Sequence, residues 1–184
     1  MSTIPSYSWW LEAFSTVQPV GYALREALPD RWLRIHSLPE MQRYPNTEEE
    51  RALLRERHRH ATALLFAEGA DCRLIVPCSY KDDPCFTGLG LAPEPELPAY
   101  QPEEDEPPYG PFHAAVLRWD FDTFRPVLDA VANDAVRALV VCPGTTHVYA
   151  PYDGGADLFF PNPAARDQAR QTLRAYLSPR ADGL

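Results

Sequence analysis

The stretch Thr146-His-Val-Tyr-Ala-Pro-Tyr-Asp-Gly-Gly-Ala-Asp-Leu-Phe-Phe160 decides the fold. Its two ends, residues 146–150 and 157–160, are alternating runs, and Tyr152-Asp153-Gly154-Gly155-Ala156 between them holds paired glycines. That order predicts a β-hairpin whose turn adopts positive φ. Just upstream, Val136-Arg-Ala-Leu-Val-Val-Cys142 is a buried-type run closed by Pro143-Gly144, so a third strand joins the hairpin in an antiparallel meander. Downstream, Asn162 caps a last helix with Pro163 at its first position. Its spacing turns Ala165, Ala169, Thr172, Leu173 and Tyr176 inward and Arg166, Arg170 and Arg174 outward.

Working back toward the start, Phe112 to Trp119 reads as a strand and Asp122 to Asn133 as a helix capped by Asp122 or Thr123. Pro126 is then placed in the first turn, where proline is tolerated. Cys72 to Pro77 and the alternating Trp32-Leu-Arg-Ile-His36 are strands. Between them the strongest helix runs from Thr47 to Phe66, with Thr47 and Glu50 as a capping box. One arc of it holds Leu53, Leu54, Ala61, Leu64 and Leu65. Arg57 falls inside that arc, His58 lies at its edge, and Arg51, Arg55 and Arg59 form an outward stripe. Two short helices, Ser6 to Phe14 and Tyr22 to Leu28, open the chain, with Trp9, Trp10 and Phe14 on one face. The predicted class is α+β: one domain with a mixed sheet of about six strands, a C-terminal antiparallel meander, covering helices and a proline-rich acidic insertion at 82–111.

The insertion carries the charge. The chain has 184 residues, 26 acids and 17 bases, for a net charge of −9. Residues 82–111 hold eight of the acids and no Lys or Arg, which leaves 18 acids against 17 bases elsewhere. They also hold 8 of the 20 prolines, so an extended, water-exposed segment is expected. Such a balance argues against binding a nucleic-acid backbone. No apolar run reaches the roughly 20 residues of a membrane span. The opening residues have no basic n-region, so a cytoplasmic chain with reduced cysteines is expected.

Chemistry-bearing residues give no diagnostic motif. Cys72, Cys78, Cys85 and Cys142 lack the paired short spacing of zinc sites, and neither a metal nor a cofactor is expected. In Arg57-His-Arg-His60 the histidines are two apart, whereas helical metal ligands stand four apart. Cys142 and His147 could form a thiolate–imidazolium pair across the Pro143-Gly144 turn, yet no oxyanion hole accompanies them. No catalytic residue is therefore assigned. One enzymatic alternative remains, a small hydrolase or transferase using Arg57, His58, His147 and carboxylates in one cleft. Arg57 itself must be paired or snorkel, because an unpaired buried charge costs several kcal/mol.

Partner-binding residues are drawn from two places. In the insertion, Tyr100 and Tyr109 flank Glu103, Glu104, Asp105 and Glu106, an acidic run with aromatic anchors. In the hairpin, Tyr152, Asp153 and Asp157 form a second candidate surface, whose carboxylates could grip a partner's arginine.

Several segments resemble a known group. Trp32-Leu-Arg-Ile-His-Ser-Leu-Pro-Glu40, Arg43-Tyr-Pro45, Tyr149-Ala-Pro-Tyr-Asp-Gly-Gly-Ala-Asp157 and Tyr176-Leu-Ser-Pro179 with Gly183-Leu184 are similar to a family of small bacterial proteins. That family resembles the immunity proteins that accompany polymorphic or contact-delivered toxins. The resemblance covers about a third of the chain and brings no catalytic residues. It implies a non-enzymatic cytosolic protein whose partner is a cognate bacterial toxin domain, with an acidic surface over a basic active-site cleft.

Overall fold

A computed structural model describes residues 8–99, 110–180 and 182–184. Its elements are α1 (Ser8–Phe14), α2 (Gly21–Ala27), β1 (Trp32–His36), α3 (Glu48–Ala63), β2 (Asp71–Pro77), β3 (Ala92–Glu94), β4 (Phe112–Arg118), α4 (Phe121–Ala132), β5 (Leu139–Cys142), β6 (His147–Tyr152), β7 (Gly155–Phe159) and α5 (Pro163–Thr172). The α+β class holds, and the sheet has seven strands in the order β1-β7-β6-β5-β2-β4-β3. Every pairing among the described residues is antiparallel, which corrects the expected mixed sheet. The seventh strand is β3, from inside the insertion. Among the described residues it pairs only with β4, so Pro93, which cannot donate to a ladder, sits on an edge strand.

Alternation along each strand sorts side chains onto two faces. On the first, Leu33, Ile35, Leu74, Val76, Leu117, Val140, Tyr149 and Leu158 share one core with Leu54 and Ala61 of α3, Phe124 and Leu128 of α4, and Ala169 of α5. On the second, Ile75, Phe112, Leu139, Val141, Val148 and Phe159 pack against Trp10 and Phe14 of α1 and Leu24 of α2. Each large apolar side chain contributes roughly 1.5–3 kcal/mol by leaving water.

Local chemistry sets the helix ends. Thr47 Oγ1 accepts from the Glu50 N–H at 3.2 Å, while the Glu50 carboxylate accepts from the Asn46 N–H at 2.5 Å. The α4 cap is Asp120, which accepts from the N–H groups of Asp122 and Thr123, two positions before the nearer of the expected caps, Asp122 and Thr123. Pro126 consequently falls in the second turn, and the carbonyl of exposed Asp122 forgoes its helical partner. The arginine stripe does more than face water: Arg55 donates to both oxygens of Asp129 at 2.9 and 2.8 Å, and Arg59 donates to Asp122 at 2.7 Å, tying α3 to α4. Thr172, expected inward, is exposed. Among the described residues no helix is long and apolar enough to cross a membrane.

Candidate functional site

The two anchors of the acidic run meet at one point. Residues 82–99 are not a solvated excursion: Phe86 and Leu97 are buried, and β3 adds to the sheet. Glu94 is buried there too, and burial raises its pKa above the ordinary carboxylate value. At the far anchor, the Cys78 N–H donates to the Pro111 carbonyl at 2.8 Å, and Phe112 pairs with Pro77. Ala99 and Gly110 are in contact; a Cβ on Gly110 would stand 3.2 Å from the Ala99 Cβ. Tyr100, Glu103, Glu104, Asp105, Glu106 and Tyr109 lie outside the described residues. Both anchors belong to the second face, where Leu97 and Phe112 share a core with Trp10 and Phe14.

The hairpin carboxylates face the protein instead of a partner. Asp157 is 4% exposed. Its Oδ1 accepts from Arg34 Nε at 2.8 Å and Trp32 Nε1 at 2.7 Å, and its Oδ2 accepts from Arg34 Nη2 at 2.9 Å. Asp153, also buried, accepts from Arg43 Nε at 2.5 Å and from the Tyr44 hydroxyl at 2.9 Å. Both oxygens of Asp157 are thus taken by this chain's own side chains, and Asp153 holds Arg43 and Tyr44 on its Oδ2. Tyr152 is half-buried and lies 4.8 Å from the Arg34 guanidinium, ring centroid to carbon. Burial pushes its hydroxyl up to about 12, with Arg34 acting in the opposite direction.

The turn glycines serve close approach. Asp153, Gly154 and Gly155 all lack the expected positive φ. A Cβ on Gly155 would instead sit 2.0 Å from the Ile35 carbonyl oxygen, because Gly155 pairs with His36 across the β1–β7 ladder.

Beside this hairpin the second face holds a cavity of about 210 Å³. Its lining includes Arg34, Asp157 and Tyr152, Ile75 and Pro77, and Gly21 at the start of α2. A side chain at Gly21 would meet the Ala150 Cβ and Asp157 Oδ2, each at 3.3 Å, so α2 can begin this close to the ion pair only with glycine there. Pro77 belongs both to this lining and to the ladder that receives Phe112, which puts the cavity next to the anchor of the acidic run.

The groups of the enzymatic alternative are apart. His58 is fully enclosed, with Nε2 2.8 Å from Ser37 Oγ and Nδ1 2.6 Å from the Tyr149 hydroxyl. Burial, with the Arg57 charge adding to it, lowers its pKa to about 3. Its position in the core, where the periodicity placed it at an edge, is explained by these two hydroxyls: a neutral imidazole can donate to one and accept from the other. Arg57 lines a different cavity with His36 and Tyr176. His147 lies beside Phe160 and Ala165 and bonds Thr145 Oγ1 at 2.8 Å. The register does set Cys142 opposite His147. However, burial and Arg31 lower the His147 pKa, which disfavours an imidazolium, and Cys142 hydrogen-bonds the Cys72 thiol. Burial pushes that thiol up to about 12.

Sequence reasoning missed the Trp32–Arg34–Asp157 cluster. Its signal was present in the alternation of β1, which puts Trp32, Arg34 and His36 on one face.

Neither a curated protein nor a solved structure matches the chain. A family model described as a domain of unknown function (DUF3885) matches residues 20–181, a span that contains all seven strands and α2 to α5. On that match, the chain belongs to the DUF3885 family.

Proposed function

We propose that this protein is a non-enzymatic, cytoplasmic inhibitor of the immunity kind, which neutralises a cognate bacterial toxin domain by covering a basic active-site cleft with an acidic surface. The observation carrying this reading is the contact of Ala99 with Gly110. The run containing Glu103, Glu104, Asp105 and Glu106 leaves and rejoins the sheet at one place, so a compact domain presents that charge from a fixed root.

Two further facts support it. Elsewhere acids and bases nearly balance, and many are spent on each other, as in Arg34–Asp157, Arg43–Asp153 and Arg55–Asp129. A local excess of one sign steers an oppositely charged partner and speeds association at low salt.

The test replaces Glu103, Glu104 and Glu106 with Gln and Asp105 with Asn, then measures affinity for the product of the neighbouring gene at low and high salt. A loss of about tenfold or more, with a flatter salt dependence, is expected. Unchanged affinity removes the segment from the mechanism.

A further inference from the structure

Arg57 is a buried cation with no carboxylate ion pair among the described residues. It is 9% exposed, on the apolar arc of α3. Nη1 donates to the His36 carbonyl at 3.1 Å, and the guanidinium carbon lies 4.9 Å from the Tyr176 ring centroid. Nε is buried with no hydrogen-bond partner, and no carboxylate among the described residues forms an ion pair with the group. Leaving a buried guanidinium unpaired costs several kcal/mol.

The unpartnered edge is chemically specific. Arg34, Arg55 and Arg180 each use Nε and Nη2 together to hold both oxygens of a carboxylate, on Asp157, Asp129 and Asp182. Arg57 commits Nη1 to a backbone carbonyl and leaves that same Nε–Nη2 edge without a partner. A fork of this geometry matches a carboxylate in a bidentate fashion.

A cavity of about 170 Å³ adjoins it, lined by Arg57, His36, Leu38, Met41, Tyr176 and Leu177 among others. The size lies below the roughly 300 Å³ at which pockets for drug-sized ligands begin. His36 Nε2 is a second buried polar atom with no partner at this cavity. The wall formed by Glu40 and Met41 has φ of 55° and 57° at consecutive non-glycine residues, a strained turn of the kind retained at ligand clamps. With one cation, apolar walls and the Glu40 carboxylate on the rim, the cavity suits a single negative charge on an apolar body and disfavours a dianion such as phosphate.

We propose that this cavity binds a small organic monocarboxylate, its two oxygens taken by the Nε–Nη2 edge of Arg57 and its short apolar part lying on Leu38, Met41 and Leu177. Titration of the full ¹⁵N-labelled chain with butyrate, followed by NMR, should give saturable shifts at Glu40, Met41 and Tyr176. Butyramide, with the same shape and no charge, should bind at least about tenfold more weakly, and inorganic phosphate should not saturate. Arg57→Met should abolish butyrate binding. Ala175→Glu keeps the test decisive if that variant fails to fold, because Ala175 is an exposed residue on the same lining. A carboxylate supplied there should raise Tm and eliminate butyrate binding. Equal affinity for butyrate and butyramide, tighter binding of phosphate, or full butyrate affinity in Arg57→Met or Ala175→Glu would overturn the proposal.

Discussion

The His58 imidazole and the Tyr149 phenol meet at the centre of the first face, Nδ1 to hydroxyl oxygen 2.6 Å, with neither side chain exposed. Both groups are held in their neutral forms by burial: the histidine pKa falls to about 3 and the tyrosine pKa rises well above its ordinary value.

A pH dependence follows from His58. In the unfolded chain a histidine titrates near 6.5. As pH falls below about 6.5 the unfolded state takes up a proton that the native state refuses, so this contribution is complete above that pH and declines progressively toward about pH 3. The interval corresponds to on the order of 5 kcal/mol. Urea midpoints at about pH 8, 6 and 4.5 should therefore decrease in order. His58→Gln should flatten that slope while costing about 1–3 kcal/mol at the highest pH, where Ser37 and Tyr149 lose a partner. An unaltered slope in the variant would assign the dependence to other groups.

The Arg34–Asp157 pair makes a double-mutant prediction. Asp157→Asn leaves the Arg34 guanidinium, whose side chain is 15% exposed, without its charge partner and should cost about 3 kcal/mol. Arg34→Met combined with Asp157→Asn should recover part of that loss, since no charge then stays buried. Chemical denaturation of the four proteins of the cycle gives the coupling. Costs that simply add would mean the two side chains act independently.

Gly155 and Gly154 should behave differently despite being neighbours. Gly155→Ala forces a methyl into the Ile35 carbonyl, which cannot move without breaking the β1–β7 ladder, so a loss of about 3 kcal/mol or more is expected. A methyl at Gly154 meets only the Tyr152 ring at 3.2 Å and the Arg43 side chain at 3.7 Å, both of which can shift. Its cost should stay below about 1 kcal/mol. Thermal unfolding compares them directly, and equal Tm values would refute the close-approach explanation.

Much of this architecture was legible because it depends on neighbours in sequence. The alternation of Trp32 to His36 and the Asn162-Pro163 start of α5 were each read as they stand. Reading failed where a distant residue intervened. The prolines of residues 82–111 predict an extended, water-exposed segment, yet Pro93 joins the sheet, because an edge position beside β4 leaves its missing N–H unneeded. Gly154-Gly155 looked like a positive-φ turn, when the deciding contact comes from Ile35 on another strand. Asp153 and Asp157 looked available to a partner because nothing in the linear order shows that Arg43 and Arg34 reach them first.

Composition and periodicity alone settled the α+β class, the meander, the oddity of Arg57 and the gathering of negative charge between residues 82 and 111. These depend on local conformational preference and on counting, which need no knowledge of contacts. The placement of β3, the contact of Ala99 with Gly110, the internal pairing of the hairpin carboxylates and the dispersal of Arg57, His58 and His147 were decided only by the tertiary structure. Each depends on which distant groups share a desolvated space, and burial turns such proximity into a large energy that sequence distance does not encode.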